Sequence, residues 1–209
     1  MTRLTLVRHG TTEWMEQGRL HGVSDSPLSE RGRQEAQLAA ARLAGQSFDA
    51  FYTSPLGRAR QTAEIIGRAV GLEPIPLEGL HELNFGWLEG GYIFRRGESK
   101  GLRRLLRSAW VEWMVNLTGE PRLRFARRIR AAVDWIVAQH PQGRVLVVTH
   151  TAVHGLLLAL LLDGNPAAWG RYDGWAPCGI TEIEVAPSGK ARLISLNEQD
   201  HLIPLRSEK

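Results

Sequence analysis

Two histidines of the 209-residue chain stand at the ends of short apolar runs. His9 follows Leu4-Thr5-Leu6-Val7-Arg8, and His150 follows Val145-Leu146-Val147-Val148-Thr149. A histidine at the end of a buried strand brings a ring nitrogen to the carboxyl edge of a sheet, where open α/β folds build their sites. Arg8 directly precedes the first histidine. A guanidinium grips phosphate through paired N–H donors, so this placement points to an anionic substrate. His81, His140, His154 and His201 read as structural or solvated. His154 lies one turn past His150, yet no carboxylate or cysteine joins the two at ligand spacing, and no metal site is expected.

The elements that must position these residues alternate between strand and helix patterns. Leu4 to Val7 is strand-like. Ser29 suits the N-cap of a helix running to about Leu43, with Gly45 as its stop. Phe48 to Tyr52 reads as a strand, and Arg58 to Val70 as a helix ended by Gly71. Glu73 to Pro76 is at best an edge strand, because proline lacks the ladder donor. Leu102, Leu105, Leu106, Ala109, Trp110, Trp113, Met114 and Leu117 recur at three- and four-residue steps, a pattern that puts Trp110 and Trp113 in the core. Phe125, Ile129, Val133, Ile136 and Val137 mark another helix, stopped near His140-Pro141. The run Leu156 to Leu162 reads as a buried helix behind the His150 strand. A hairpin from Ile180 to Val185 and Ala191 to Leu196 turns through Pro187-Ser188-Gly189. The expected fold class is α/β: a three-layer, mostly parallel sheet with helices on both faces. Residues 1–209 form one domain in this reading, with 91–120 as a small inserted helical cap over the carboxyl edge.

Composition narrows the classes. Twenty-six basic against 22 acidic residues give a net charge of +4, a mild excess that suits an acidic small molecule and does not call for nucleic acid. The cap arginines Arg95, Arg96, Arg103 and Arg107 lack aromatics interleaved on their face; they read as a solvated surface or as a screen for acidic substrates. The single cysteine, Cys178, forms no internal disulfide. The chain runs straight into a strand with no secretory pattern, and its longest apolar run is too short to span a bilayer. A cytoplasmic protein without a membrane or nucleic-acid partner is expected, with an apolar edge near the hairpin through which two copies could pair as a homodimer.

Five segments occur in a telling order: Leu6-Val7-Arg8-His9-Gly10-Thr11-Thr12, Asp25-Ser26-Pro27-Leu28-Ser29-Glu30-Arg31-Gly32, Tyr52-Thr53-Ser54-Pro55-Leu56-Gly57-Arg58-Ala59-Arg60-Gln61-Thr62-Ala63, Glu82-Leu83-Asn84-Phe85-Gly86-Trp87-Leu88-Glu89-Gly90 and Val148-Thr149-His150. In combination they resemble the motifs of the histidine phosphatase superfamily, also called phosphoglycerate mutase-like. Asn197-Glu198-Gln199-Asp200-His201-Leu202 resembles the ending of several of its phosphatases. The resemblance implies that His9 attacks phosphorus and becomes a phosphohistidine. Arg8, Arg58 and His150 would hold the phosphate oxygens. Glu82 would protonate the leaving oxygen and later deprotonate water. No cofactor or metal is implied, and the partner is a small-molecule phosphomonoester.

The chain also departs from that family. Met15 stands where asparagine is usual, His21 where glutamine is usual, and Thr151 where glycine follows the second histidine. Gly119-Glu120-Pro121 replaces Gly-Glu-Ser. His21 and Thr151 are expected to touch the substrate. Glu82 and His150 are 68 residues apart, a spacing similar to the phosphatase branch, since mutases carry a longer insertion. A metal-independent phosphomonoesterase is therefore expected. The alternatives are a cofactor-dependent phosphoglycerate mutase and a phosphate-ligand binding protein that has lost turnover.

Overall fold

The computed structural model describes residues 1–92 and 102–206, with the backbone alone at 102–109 and 206. The strands are β1 (Thr2–Arg8), β2 (Ala50–Thr53), β3 (Ile75–Pro76), β4 (Arg144–Thr149), β5 (Ile180–Val185) and β6 (Ala191–Glu198). They form one sheet in the order β3-β2-β4-β1-β5-β6. The β3–β2, β2–β4 and β4–β1 pairs are parallel, while β5 and β6 join antiparallel. The mostly parallel α/β sheet read from the sequence is thus present, and the two residues of β3, Ile75 and Pro76, do sit at an edge.

The central strands read as continuous apolar runs because both faces are covered. On one face Leu4, Leu6, Val145, Val147 and Ile183 pack against α5 (Arg122–Gln139) and α6 (Thr151–Leu158), through Phe125, Ile129, Val133, Val153 and Leu157. On the other, Val7, Phe51, Leu146, Val148 and Ile180 meet α2 (Glu30–Leu43) and α3 (Gly57–Val70), through Ala36, Ala39, Leu43, Ala63 and Ile66. A short helix, α1 (Glu13–Glu16), follows β1. Ser29 caps α2, accepting from Gly32 N at 3.2 Å, and α3 ends at Gly71 in the left-handed region with φ of 72°. Among the described residues no helix is long and apolar enough to cross a membrane.

One expectation fails. The helix α4 (Leu102–Thr118) is present, but Trp110 is 50% exposed, Trp113 59% and Leu117 62%. The side of α4 turned to the body carries Met114 of the expected stripe together with Val111 and Val115. The periodicity revealed an apolar stripe but not which stripe has a partner. The end of α4 is pinned to the 3₁₀ turn at Gly86–Leu88, where Trp87 N donates to Thr118 Oγ1 at 3.2 Å. Arg95 and Arg96, and the side chains of Arg103 and Arg107, lie outside the described residues.

Candidate active site

Parallel pairing sets Arg8 opposite Thr149, so His9 and His150 leave neighbouring strands at the same sheet edge. His9 N donates to Thr149 O at 2.9 Å, and the two imidazole centroids lie 5.0 Å apart. The loop beyond His9 is fixed from α2 and α3. Gly10 N donates to Thr62 Oγ1 at 3.1 Å, and Thr11 donates to the buried Glu35 carboxylate through both N and Oγ1, at 2.8 and 3.0 Å. The packing there is backbone on backbone: a Cβ on Gly32 would stand 1.9 Å from Thr11 O.

His9 Nδ1 lies 2.8 Å from Gly10 O. A carbonyl only accepts, so Nδ1 carries the proton and Nε2 keeps its lone pair. Arg58 Nε donates to that Nε2 at 3.3 Å. Burial, and then the Arg58 and Arg8 charges, hold His9 well below the usual imidazole range. A neutral ring whose Nε2 keeps its lone pair is the form a nucleophile needs.

Arg58 is fully buried at the start of α3. Three of its N–H groups anchor it to one loop: to Gly22 O at 2.7 Å, Ser24 O at 3.0 Å and Asp25 Oδ1 at 3.0 Å. Asp25 also accepts from Arg58 N at 3.3 Å, which sets a carboxylate at the positive end of the helix. The residue before must be small, since a Cβ on Gly57 would fall 2.3 Å from Asp25 Oδ2. Burial lowers the Arg58 pKa, opposed by Glu82 and Asp25. Arg8 donates to the Trp175 carbonyl, and its other terminal nitrogen lies 3.6 Å from Met15 Sδ. Burial brings Arg8 down to about 10, still charged at neutral pH. The loop bearing Trp175 is held by Asn197, whose Oδ1 accepts from Ala176 N at 3.0 Å.

His150 is fully buried against His9. Its Nε2 lies 2.7 Å from Ser54 Oγ. That oxygen also accepts from Leu56 N at 3.3 Å. The ring's Nδ1 is buried with no partner. Burial, and then Arg58, lower the His150 pKa well below the usual range.

Glu82 is buried across the same space. Its Oε1 accepts from Leu83 N at 2.9 Å and its Oε2 from Ala152 N at 3.3 Å. Burial raises its pKa, with Arg58 and Arg8 opposing. Arg8, His9, Arg58 and Glu82 line one cavity of about 640 Å³. Met15, His21 and Thr151 are also on its wall. His21 Nε2 is 2.9 Å from Thr12 Oγ1, and burial, reinforced by Arg58, holds its pKa at about 4. Thr151 is the first residue of α6. Among the described residues no group of three or more His, Cys, Asp or Glu is placed to hold a metal ion.

The sequence profile of the histidine phosphatase superfamily (branch 1) matches residues 4–199. The chain belongs to this superfamily. A protein named probable phosphoglycerate mutase GpmB, from Yersinia pestis (strain Pestoides F), is 35% identical over 195 residues, covering 90% of this chain and 87% of that protein. Among solved structures, Bacillus stearothermophilus YhfR superposes with a TM-score of 0.83 at 30% identity, covering 97% of this chain and 100% of the other. A phosphoserine phosphatase from Entamoeba histolytica, solved in complex with phosphoserine, gives 0.80 at 29% identity over 97% and 100% of the two chains. This histidine phosphatase chain therefore has both phosphatases and a mutase-named protein among its relatives.

The fold gathers Arg8, His9, Arg58, Glu82, His21 and Thr151 at one cavity and sets His150 against His9. Sequence reasoning missed the groups that hold them. Asp25 and Ser54 lay inside the matched motifs, and a buried arginine and a buried histidine each needing a partner was the available signal. Trp175 acts through its carbonyl, and no side-chain pattern signals that. Trp169 and Asp173, also on the cavity wall, flank the end of an irregular 3₁₀ stretch, Pro166–Tyr172, that lacks helical periodicity.

Proposed function

We propose that this histidine phosphatase is a metal-independent phosphomonoesterase that hydrolyses a small-molecule phosphate through a phosphohistidine on His9. The observation that carries the reading is the His9 ring, its Nε2 lone pair held by Arg58 Nε–H, on the wall of a cavity that also carries two guanidinium groups and a buried carboxyl. A phosphate dianion repels a nucleophile until its charge is shared. Arg8 and Arg58 share it, and the His150 ring, its Nδ1 without a partner, adds a further donor when that nitrogen carries the proton. His9 Nε2 forms a bond to phosphorus as the bond to the ester oxygen breaks. Glu82, its pKa raised by burial, gives a proton to that oxygen. The resulting carboxylate takes a proton from water, the water oxygen attacks phosphorus, the P–N bond breaks and inorganic phosphate departs.

Rapid quench with a ³²P-labelled monoester in the presence of a chelator tests this. The expected result is an acid-labile, base-stable label on the wild type and none on His9→Ala, together with release of inorganic phosphate. Turnover that persists in His9→Ala rejects the scheme. The 35% identity to a protein named a probable phosphoglycerate mutase favours a second reading. In that case 3-phosphoglycerate would be converted to 2-phosphoglycerate in the same assay, stimulated by 2,3-bisphosphoglycerate. The binding-protein alternative, motivated by Met15 and Thr151, gives phosphate binding with no label at all.

A further inference from the structure

The cavity reaches far beyond the phosphate-binding groups. At about 640 Å³ it falls among sites that enclose a whole drug-sized ligand, roughly 300–1,000 Å³. Its wall also includes the apolar residues Leu20, Phe85, Val111, Ala152 and Trp169. Trp169 is braced on other sides, with Phe125 edge-on at 6.2 Å and the Arg122 guanidinium 5.3 Å over its ring. An indole braced in this way, on a wall shared with Phe85 and Val111, suits a flat apolar body.

Two charged groups interrupt this wall. Arg19 is engaged elsewhere: its Nε donates to Gly90 O at 2.7 Å and its guanidinium sits 4.0 Å over the Trp14 ring. Asp173 differs, because among the described residues its carboxylate has no ion-pair partner. Burial raises its pKa, which reflects a charge without compensation.

We infer that the leaving alcohol has a flat apolar body that packs against Trp169, and a cationic or proton-donating group that faces Asp173. This rests on the phosphatase reading above. A leaving group bearing a carboxylate, as a phosphorylated hydroxy acid does, brings like charge to Asp173 and is disfavoured. Asp173 and Trp169 are thus residues that determine specificity; neither takes part in the bond-breaking step.

Four probes of matched chemistry test the assignment: phenyl phosphate, O-phosphotyramine, 3-(4-phosphooxyphenyl)propionate and 3-phosphoglycerate. kcat/KM for each is measured on wild type, Asp173→Asn and Trp169→Ala. Wild type is expected to favour the ammonium-bearing aryl ester over its carboxylate analogue by about tenfold, the combined effect of one partly exposed attraction gained and one repulsion avoided. Asp173→Asn is expected to shrink that ratio below about threefold. Trp169→Ala is expected to raise KM for the three aryl esters relative to 3-phosphoglycerate. Turnover with no preference between the two charged aryl esters, or a preference that survives in Asp173→Asn, overturns the inference and leaves the phosphatase reading standing. Failure of all four probes to phosphorylate His9 overturns both.

Discussion

Replacing Glu82 by glutamine separates the two halves of the proposed reaction. Both carboxyl oxygens accept backbone N–H groups, from Leu83 at 2.9 Å and Ala152 at 3.3 Å. Glutamine keeps one acceptor, but its amide nitrogen must face the other N–H. One buried donor is left unpaired, at a cost of about 1–3 kcal/mol of stability, which a urea titration reads. The chemical cost is larger. An alkyl phosphate needs its leaving oxygen protonated, and losing one placed acid–base group costs about 10²- to 10⁴-fold in kcat. With 4-nitrophenyl phosphate the phenolate departs unaided, so His9 is still phosphorylated, whereas water is no longer deprotonated. Stopped-flow should therefore show a burst of nitrophenolate near one equivalent per site, followed by slow turnover. The pH profile follows from the same geometry. Burial raises Glu82, so the wild type retains its acid above the usual carboxylate range and loses activity on alkyl phosphates as pH climbs through that raised pKa. The depressed His9 keeps its nucleophile neutral on the acidic side. Glutamine abolishes the fall at high pH. Equal losses on both substrates with no burst would refute the assignment of Glu82.

Asp25→Ala should cost about 2 kcal/mol by denaturant midpoint and raise KM, because it strips the carboxylate from a fully buried Arg58; Asp25 is itself 38% exposed, so the loss stays below that of a fully buried pair. Asp25→Asn keeps an acceptor and should cost less, and an alanine variant as stable as wild type would contradict the pairing. His154 packs against Trp175 at 4.7 Å with neither ring nitrogen bonded, and burial holds it at about 3. Its folded pKa is depressed, so its share of stability is present above the unfolded value, about 6.5, and is lost as pH falls toward 3. His154→Phe should match wild type within about 1 kcal/mol at pH 8 and exceed it by on the order of 2 kcal/mol at pH 5. Parallel stability curves for the two proteins would exclude this.

His9 and His150 were legible because a strand-end histidine needs only a short apolar run to be located, and parallel pairing then brings two such ends together. The caps at Ser29 and Gly71 were legible for the same local reason. Trp110 and Trp113 were misread because helical period fixes faces relative to one another but says nothing of what lies opposite. The supports of the site were hidden for other reasons. Trp175 contributes a carbonyl, which every residue has, and Trp169 and Asp173 belong to a stretch with no period to read.

Because Arg8 faces Thr149 in a parallel ladder, the two strand-end imidazoles behave mechanically as one part. Deleting a single residue from either strand would turn one ring through to the opposite helix layer and part the couple, since side chains alternate with a period of two. On the proposed reading, the means of cleavage is thereby locked to the centre of the sheet. The winding segment 166–173, which supplies Trp169 and Asp173 to the cavity wall, lies outside that ladder, so under the same reading a lineage can exchange what it hydrolyses while leaving untouched how it does so.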